Sequence, residues 1–150
     1  MGNIFNQDFE DFITSLNNNQ VDYILVGGYS VILHGYSRTT GDMDIWVKKE
    51  RENYLRLVNA FKEFKMPVFD MTEEIFLENP ELNVFTFGRA PSSIDIMTDV
   101  KGLNFNETFE SAQVVEVGKI KVRLIHLNHL LQAKSASGRH KDLDDIENLT

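Results

Sequence analysis

The sequence predicts a single domain of the α/β (α+β) class, a mixed sheet flanked by helices. Short strand-like runs alternate with runs of helical period along the whole chain, which is the pattern of helices layered on a sheet. At 150 residues such a domain can bury roughly 70% of its unfolded surface without metal or disulfide staples. No internal repeat, low-complexity run or linker divides it.

Phe9, Phe12, Ile13 and Leu16 recur at helical spacing and predict an opening amphipathic helix that Asn17-Asn18-Asn19 ends. Tyr23–Val26 reads as the first strand, and Tyr29–His34 as one or two helical turns ending at Gly35. Met43–Val47 is the second strand. Tyr54, Leu57, Val58, Phe61 and Phe64 form one face of a helix between Arg51 and Phe64, stopped before Pro67. Thr72 caps a short helix to Glu78. Asn83–Gly88 and Ser92–Met97 read as strands separated by Ala90-Pro91. Thr98–Ala112 carries only a hint of structure, Phe105 and Phe109 suggesting a helical turn on the core. Gln113–Val117 and Lys119–Ile125 read as a hairpin about Gly118. Leu127–Ser137 and Arg139–Leu149 close the chain as two helices around Gly138. The domain core then spans about residues 21–125, with C-terminal helices over 127–149.

Chemistry concentrates at two places. The first strand stops at Gly27-Gly28 and is followed by Ser30. Strand interiors disfavour glycine, so the pair marks a turn where backbone can approach a ligand. A short helix after it offers free N–H groups to an anion such as phosphate. No Gly-Lys-Ser/Thr follows, and the Gly-x-Gly-x-x-Gly spacing is missing, which sets aside two better-known phosphate loops. In Asp42-Met43-Asp44-Ile45, alternation puts both aspartates on one strand face, about 6.6 Å apart along the chain. Like charges so placed repel unless a cation joins them, and hard cations such as Mg²⁺ suit oxygen ligands. A phosphate cradle beside a carboxylate pair is equipment for phosphoryl or nucleotidyl transfer.

Gly27-Gly28, a thirteen-residue gap from Tyr29 to Gly41, and Asp42-Met43-Asp44-Ile45 resemble the signature of the polymerase-beta-like nucleotidyltransferase superfamily. Ile94-Asp95-Ile96 is similar to the third acidic strand of that family. Leu130–Lys134, Gly138–Asp142 and Asp145 resemble small bacterial minimal, toxin-type and antibiotic-modifying nucleotidyltransferases. The likeness implies a nucleotidyltransferase-like fold and a magnesium-dependent enzyme. Such an enzyme moves a nucleoside monophosphate from a nucleoside triphosphate (ATP among them) to a hydroxyl of a small molecule, RNA or protein. By the same likeness Gly27, Gly28 and Ser30 hold the triphosphate, and Asp42 and Asp44 bind two Mg²⁺ ions. Asp95 then completes one metal site and stands to take the acceptor proton. The alternative is a nucleotidyltransferase fold that serves a toxin–antitoxin pair mainly by binding its partner.

Each residue also has a plainer reading. Ser30 can simply cap the short helix, Arg38 can contact phosphate or lie loose on the surface, and Lys134 and Arg139 can meet triphosphate or pair with Asp142 and Asp145. His126 and His129 have no third nitrogen or sulfur ligand at a zinc spacing. A net charge of −8 argues against broad attraction to nucleic acid, although six of 15 lysines and arginines fall between Lys119 and Lys141. The absence of cysteine and of a basic, apolar N-terminal segment predicts a cytoplasmic protein without disulfides, signal peptide, myristoyl anchor or membrane span. So short a chain leaves little to wall off an acceptor, which predicts a homodimer or a small helical partner at the cleft.

Overall fold

The computed structural model describes residues 4–89 and 92–150. Met1 to Asn3 and the separator Ala90-Pro91 lie outside the described residues. The elements run α1 (Gln7–Asn18), β1 (Tyr23–Val26), α2 (Gly27–Leu33), β2 (Met43–Val47), α3 (Arg51–Glu63) and α4 (Glu73–Glu78). Then come β3 (Val84–Phe87), β4 (Ile94–Met97), α5 (Phe105–Ser111), β5 (Gln113–Val117), β6 (Ile120–Leu124), α6 (Leu127–Ser137) and α7 (His140–Leu149). They build one domain around a six-stranded mixed sheet of order β3-β4-β2-β1-β6-β5.

Register assigns the two faces. β2 pairs parallel with β4, placing Met43 beside Ile94, Asp44 beside Asp95 and Ile45 beside Ile96. β1 pairs antiparallel with β2, so Leu25 stands opposite Ile45 and Val26 opposite Asp44. Side chains alternate along each strand. Leu25, Met43, Ile45, Ile94, Ile96, Phe85 and Phe87 therefore share one buried face. Phe12 of α1 meets Phe61 and Phe64 edge-on at 5.5 and 5.3 Å, and Phe61 meets Phe87 at 4.8 Å. That aromatic chain fastens α1 and α3 to this side of the sheet. Each such tilted ring contact adds roughly 0.5–1.5 kcal/mol beyond the area it buries.

On the opposite face Trp46 packs edge-on against Phe105 of α5 at 5.2 Å, and the Arg123 guanidinium lies 4.3 Å above the Phe109 ring. Asp44, Asp95 and Thr86 share this second face, nearer the other end of the strands. The helix in 105–111 fills a stretch that the sequence left open, and Asn104 caps it by accepting from the Glu107 N–H at 3.1 Å. α2 begins at the glycines themselves, two residues before the expected Tyr29. The strands are trimmed to Val84–Phe87 and Ile94–Met97. Gly138, at φ +63°, ends α6 in the left-handed conformation that breaks the two C-terminal helices. Among the described residues no helix is long and apolar enough to cross a membrane.

Candidate active site

The turn after β1 is built around close contact. Gly27 sits at φ +70°, and a Cβ placed there would lie 2.7 Å from Asp44 Cγ and collide with its carboxylate oxygen. Gly28 is pressed against Thr40, whose Cβ would be 2.8 Å from an added methyl. Glycine is therefore a steric requirement at both positions: β1 and β2 lie side by side, and Asp44 fills the space above the turn. Ser30 is fully buried and its hydroxyl donates to the Gly27 carbonyl at 2.6 Å. It braces the turn from behind and does not line the cavity in front. Among the described residues no side chain caps the first turn of α2.

Asp44 and Asp95 are the centre of the site. They are in register on adjacent parallel strands, both half-buried on one face. Burial, the Asp95 charge, a hydrogen bond between the two carboxyls and the Asp42 charge push Asp44 up to about 7, while Lys134 pulls it down. The cause is elementary: two carboxylates sharing a partly dry site cannot both ionise cheaply. Asp95 accepts from Thr86 Oγ1 at 2.7 Å. Asp42, more exposed, accepts from Ser93 Oγ at 2.6 Å through Oδ1. Thr86 and Ser93 were not singled out from sequence; the signal for Thr86 was its place in the alternation of a strand beside β4. Among the described residues no three His, Asp or Glu side chains already stand together as a metal cage. His126 spends a ring nitrogen on the Asn128 N–H at 3.0 Å, capping α6.

A cavity of about 200 Å³ opens beside Asp44, between the Gly27-Gly28 turn and the α6–α7 corner. Lys134 and Arg139 both line it, and both are ion-paired. Lys134 Nζ reaches Asp142 at 3.2 Å and Asp145 at 3.0 Å. Arg139 grips Asp142 through Nε and Nη2 at 2.7 and 3.2 Å. Burial alone would raise the Asp142 carboxyl, yet hydrogen bonds from Arg139 and Lys134 hold it below its ordinary range. Arg38 is no loose surface arginine. It forks onto Asp145 through Nε and Nη2 at 2.9 and 3.1 Å, tying α7 to the loop before β2. Three cations thus surround two buried aspartates, leaving one positive charge in excess, and of these five Lys134, Arg139 and Asp142 line the cavity. Lys119 and Lys121 are exposed on the hairpin, away from this corner.

The family described as nucleotidyltransferase of unknown function (DUF6036) matches residues 5–150. Among solved structures, the chain is similar to a Thermotoga maritima protein, TM1012, ascribed to the nucleotidyltransferases. That match has 19% identity, covers 93% of this chain and 88% of that one, and has a TM-score of 0.60. It is also similar to the lincosamide antibiotic adenylyltransferase LnuA in its lincomycin-bound form, at 15% identity, with 98% and 97% of the two chains covered and a TM-score of 0.57. No curated protein matches the sequence.

Proposed function

This chain belongs to the nucleotidyltransferases of family DUF6036, and we propose that it moves a nucleoside monophosphate from a nucleoside triphosphate to an acceptor hydroxyl with the help of Mg²⁺. The observation that carries this reading is the Asp44–Asp95 pair, in register on parallel strands, with Asp44 pressed against a glycine turn. The residues fit a hard cation. The pair holds more negative charge than its protein neighbours neutralise, and Asp42 keeps its Oδ2 beside the Ser93 bond. Asp44 and Asp95, with Asp42 at the rim, would hold the ion. When bound, Mg²⁺ supplies Lewis-acid neutralisation of charge on the α-phosphate and the departing pyrophosphate.

The chain's own residues supply the rest. Gly27 and Gly28 let Asp44 and Thr40 close onto the turn, and the free N–H groups at the start of α2 would meet phosphate. Asp95 takes the proton of the acceptor hydroxyl as general base. Thr86 fixes the orientation of the Asp95 carboxyl, since its hydroxyl donates to Oδ1. Lys134 contributes positive charge near Asp44 without being able to swing away from its two carboxylate partners. A second subunit or a small helical partner would supply the wall that positions the acceptor.

A panel of the four nucleoside triphosphates, incubated with the protein, Mg²⁺ and cell lysate, tests the reading by mass spectrometry of the modified species. A mass increment of one nucleoside monophosphate, lost in Asp44→Asn and Asp95→Asn, is expected. A non-hydrolysable triphosphate bound away from Gly28 in a crystal soaked with Mg²⁺ would refute the mechanism. Transfer to no acceptor, with a partner still captured by Asp95→Asn, would leave a binding role instead.

A further inference from the structure

The sheet has two open edges, β3 and β5. β5 carries the exposed Glu116, and charge on an edge keeps other strands away. β3 has no such guard, for no charged residue stands between Glu81 and Arg89. Only alternate residues of β3 bond to β4. The Thr98 N–H donates to the Asn83 carbonyl at 2.9 Å, and from that register the hydrogen-bonded pairs are Phe85 with Ile96 and Phe87 with Ile94. The N–H and C=O groups of Val84 and Thr86 therefore point to the open side, and among the described residues no backbone group meets them there. We propose that this edge docks an extended, basic segment of a partner protein, which adds to β3 as a further strand.

The side chains beside this edge form a groove. A cavity of about 200 Å³ lies between loop 68–71 and β3, with Leu82 also in its wall. It shares no lining residue with the cavity beside Asp44. Phe69 stands 69% exposed in that wall at φ +49°, a left-handed conformation that bulky side chains seldom adopt. Its ring stacks on Phe87 at 6.4 Å. With the exposed Val84 it offers apolar contact to alternate residues of an incoming strand. Charge names the partner. Asp70, Glu73, Glu74, Glu78 and Glu81 lie between Lys65 and Arg89, and no lysine or arginine lies among them. Among the described residues only Glu73 of these has an ion pair, with Arg51 at 3.3 Å. Asp70 lines the groove itself. α4, which bears Glu74 and Glu78, packs on β3 through Phe76, whose ring stacks on Phe85 at 6.3 Å. A second copy of this chain would set the same acids against these, which opposes pairing of β3 with β3, whereas a segment rich in lysine or arginine is drawn in.

Fluorescence anisotropy with the full chain and a labelled peptide of alternating valine and lysine tests the edge. Binding is expected, and it should weaken about tenfold or more when alternate peptide nitrogens are methylated, because methylation removes the donors that pair with β3. Replacing the peptide's lysines by glutamate should abolish it. Val84→Pro deletes an outward N–H at an edge position that tolerates proline, and Val84→Lys adds a repelling charge. Each is expected to weaken the peptide about tenfold, with the circular dichroism spectrum and thermal midpoint of the wild type. No binding by the wild type at millimolar peptide, equal binding of the methylated or the acidic peptide, or unchanged binding in both Val84 variants overturns the proposal. A dimer in sedimentation that Val84→Pro dissolves gives the edge to a second copy and overturns it too. None of these outcomes depends on nucleotidyl transfer.

Discussion

Replacing Asp44 by Asn should make the metal-free protein more stable while removing its activity. Asp44 rises from an ordinary 3.8 to about 7 because burial and the neighbouring carboxyls oppose its charge. A folded-state pKa above the unfolded value means that the native state keeps a proton that the unfolded chain has released. The favourable contribution is whole below about pH 4 and is lost as pH climbs to about 7. Above pH 7 the full penalty applies. Three units at 1.36 kcal/mol each give about 4 kcal/mol as a ceiling, and solvent screening at a half-buried carboxyl shared with Asp95 brings the expected gain to roughly 1–3 kcal/mol. Urea unfolding in EDTA at pH 5 and pH 8 measures it. The wild type should lose stability between the two, and Asp44→Asn should lose much less. Mg²⁺ at pH 8 should then stabilise the wild type and leave the variant nearly unmoved. A variant less stable than wild type at pH 8 in EDTA would refute the electrostatic account.

Three further perturbations probe the same architecture. Gly27→Ala should cost about 2–3 kcal/mol in denaturant unfolding, since it adds left-handed strain to a collision with Asp44. Wild-type stability there would mean that the turn relaxes freely. Asp145→Ala should cost roughly 3–5 kcal/mol, because Arg38 and Lys134 would be left partly buried without one of their carboxylates; thermal unfolding against Asp144→Ala, an exposed neighbour, is the comparison. Thr86→Val removes the hydroxyl on Asp95 at constant shape, and kcat should fall about tenfold with KM for the nucleotide held, read from steady-state rates. A change confined to KM would place Thr86 at the nucleotide instead.

What the sequence could express was local. The glycine pair, the aspartate alternation and the helical spacing of Phe9 to Leu16 each write their structure within a few residues, so these elements stand where they were expected. The helix at 105–111 shows in the sequence only as the hint of a turn because its face is thin: Phe105 and Phe109 are only partly covered, and the remaining positions are polar. Its one clear mark was Asn104 with Glu107 three residues on, a capping pattern ahead of too short an apolar run. Ser30 carries two readings in the sequence, phosphate contact and helix cap, because a hydroxyl after two glycines suits both, and packing turns it onto the Gly27 carbonyl. The standing of Arg38, Lys134 and Arg139 depended on which acids reach them across the fold. Sheet order is of the same kind. β1 lies between β2 and β6, and nothing within β1 names its second neighbour.

The fork from Arg38 to Asp145 joins positions 107 residues apart, and it has a bearing on how the protein is made. The loop before β2 carries Arg38 and leaves the ribosome early, while its carboxylate lies in α7. At synthesis rates of about 5–20 residues per second, the loop waits for seconds with its guanidinium unmatched. The sheet strands β1, β2 and β4 can pair during that interval and bring Asp44 to Asp95. The wall carrying Lys134 and Arg139 can settle only once α7 has emerged. Nascent chains arrested before residue 140 would therefore hold the carboxylates without the cationic wall, and the cavity beside Asp44 would come into being as a late event in the birth of the molecule.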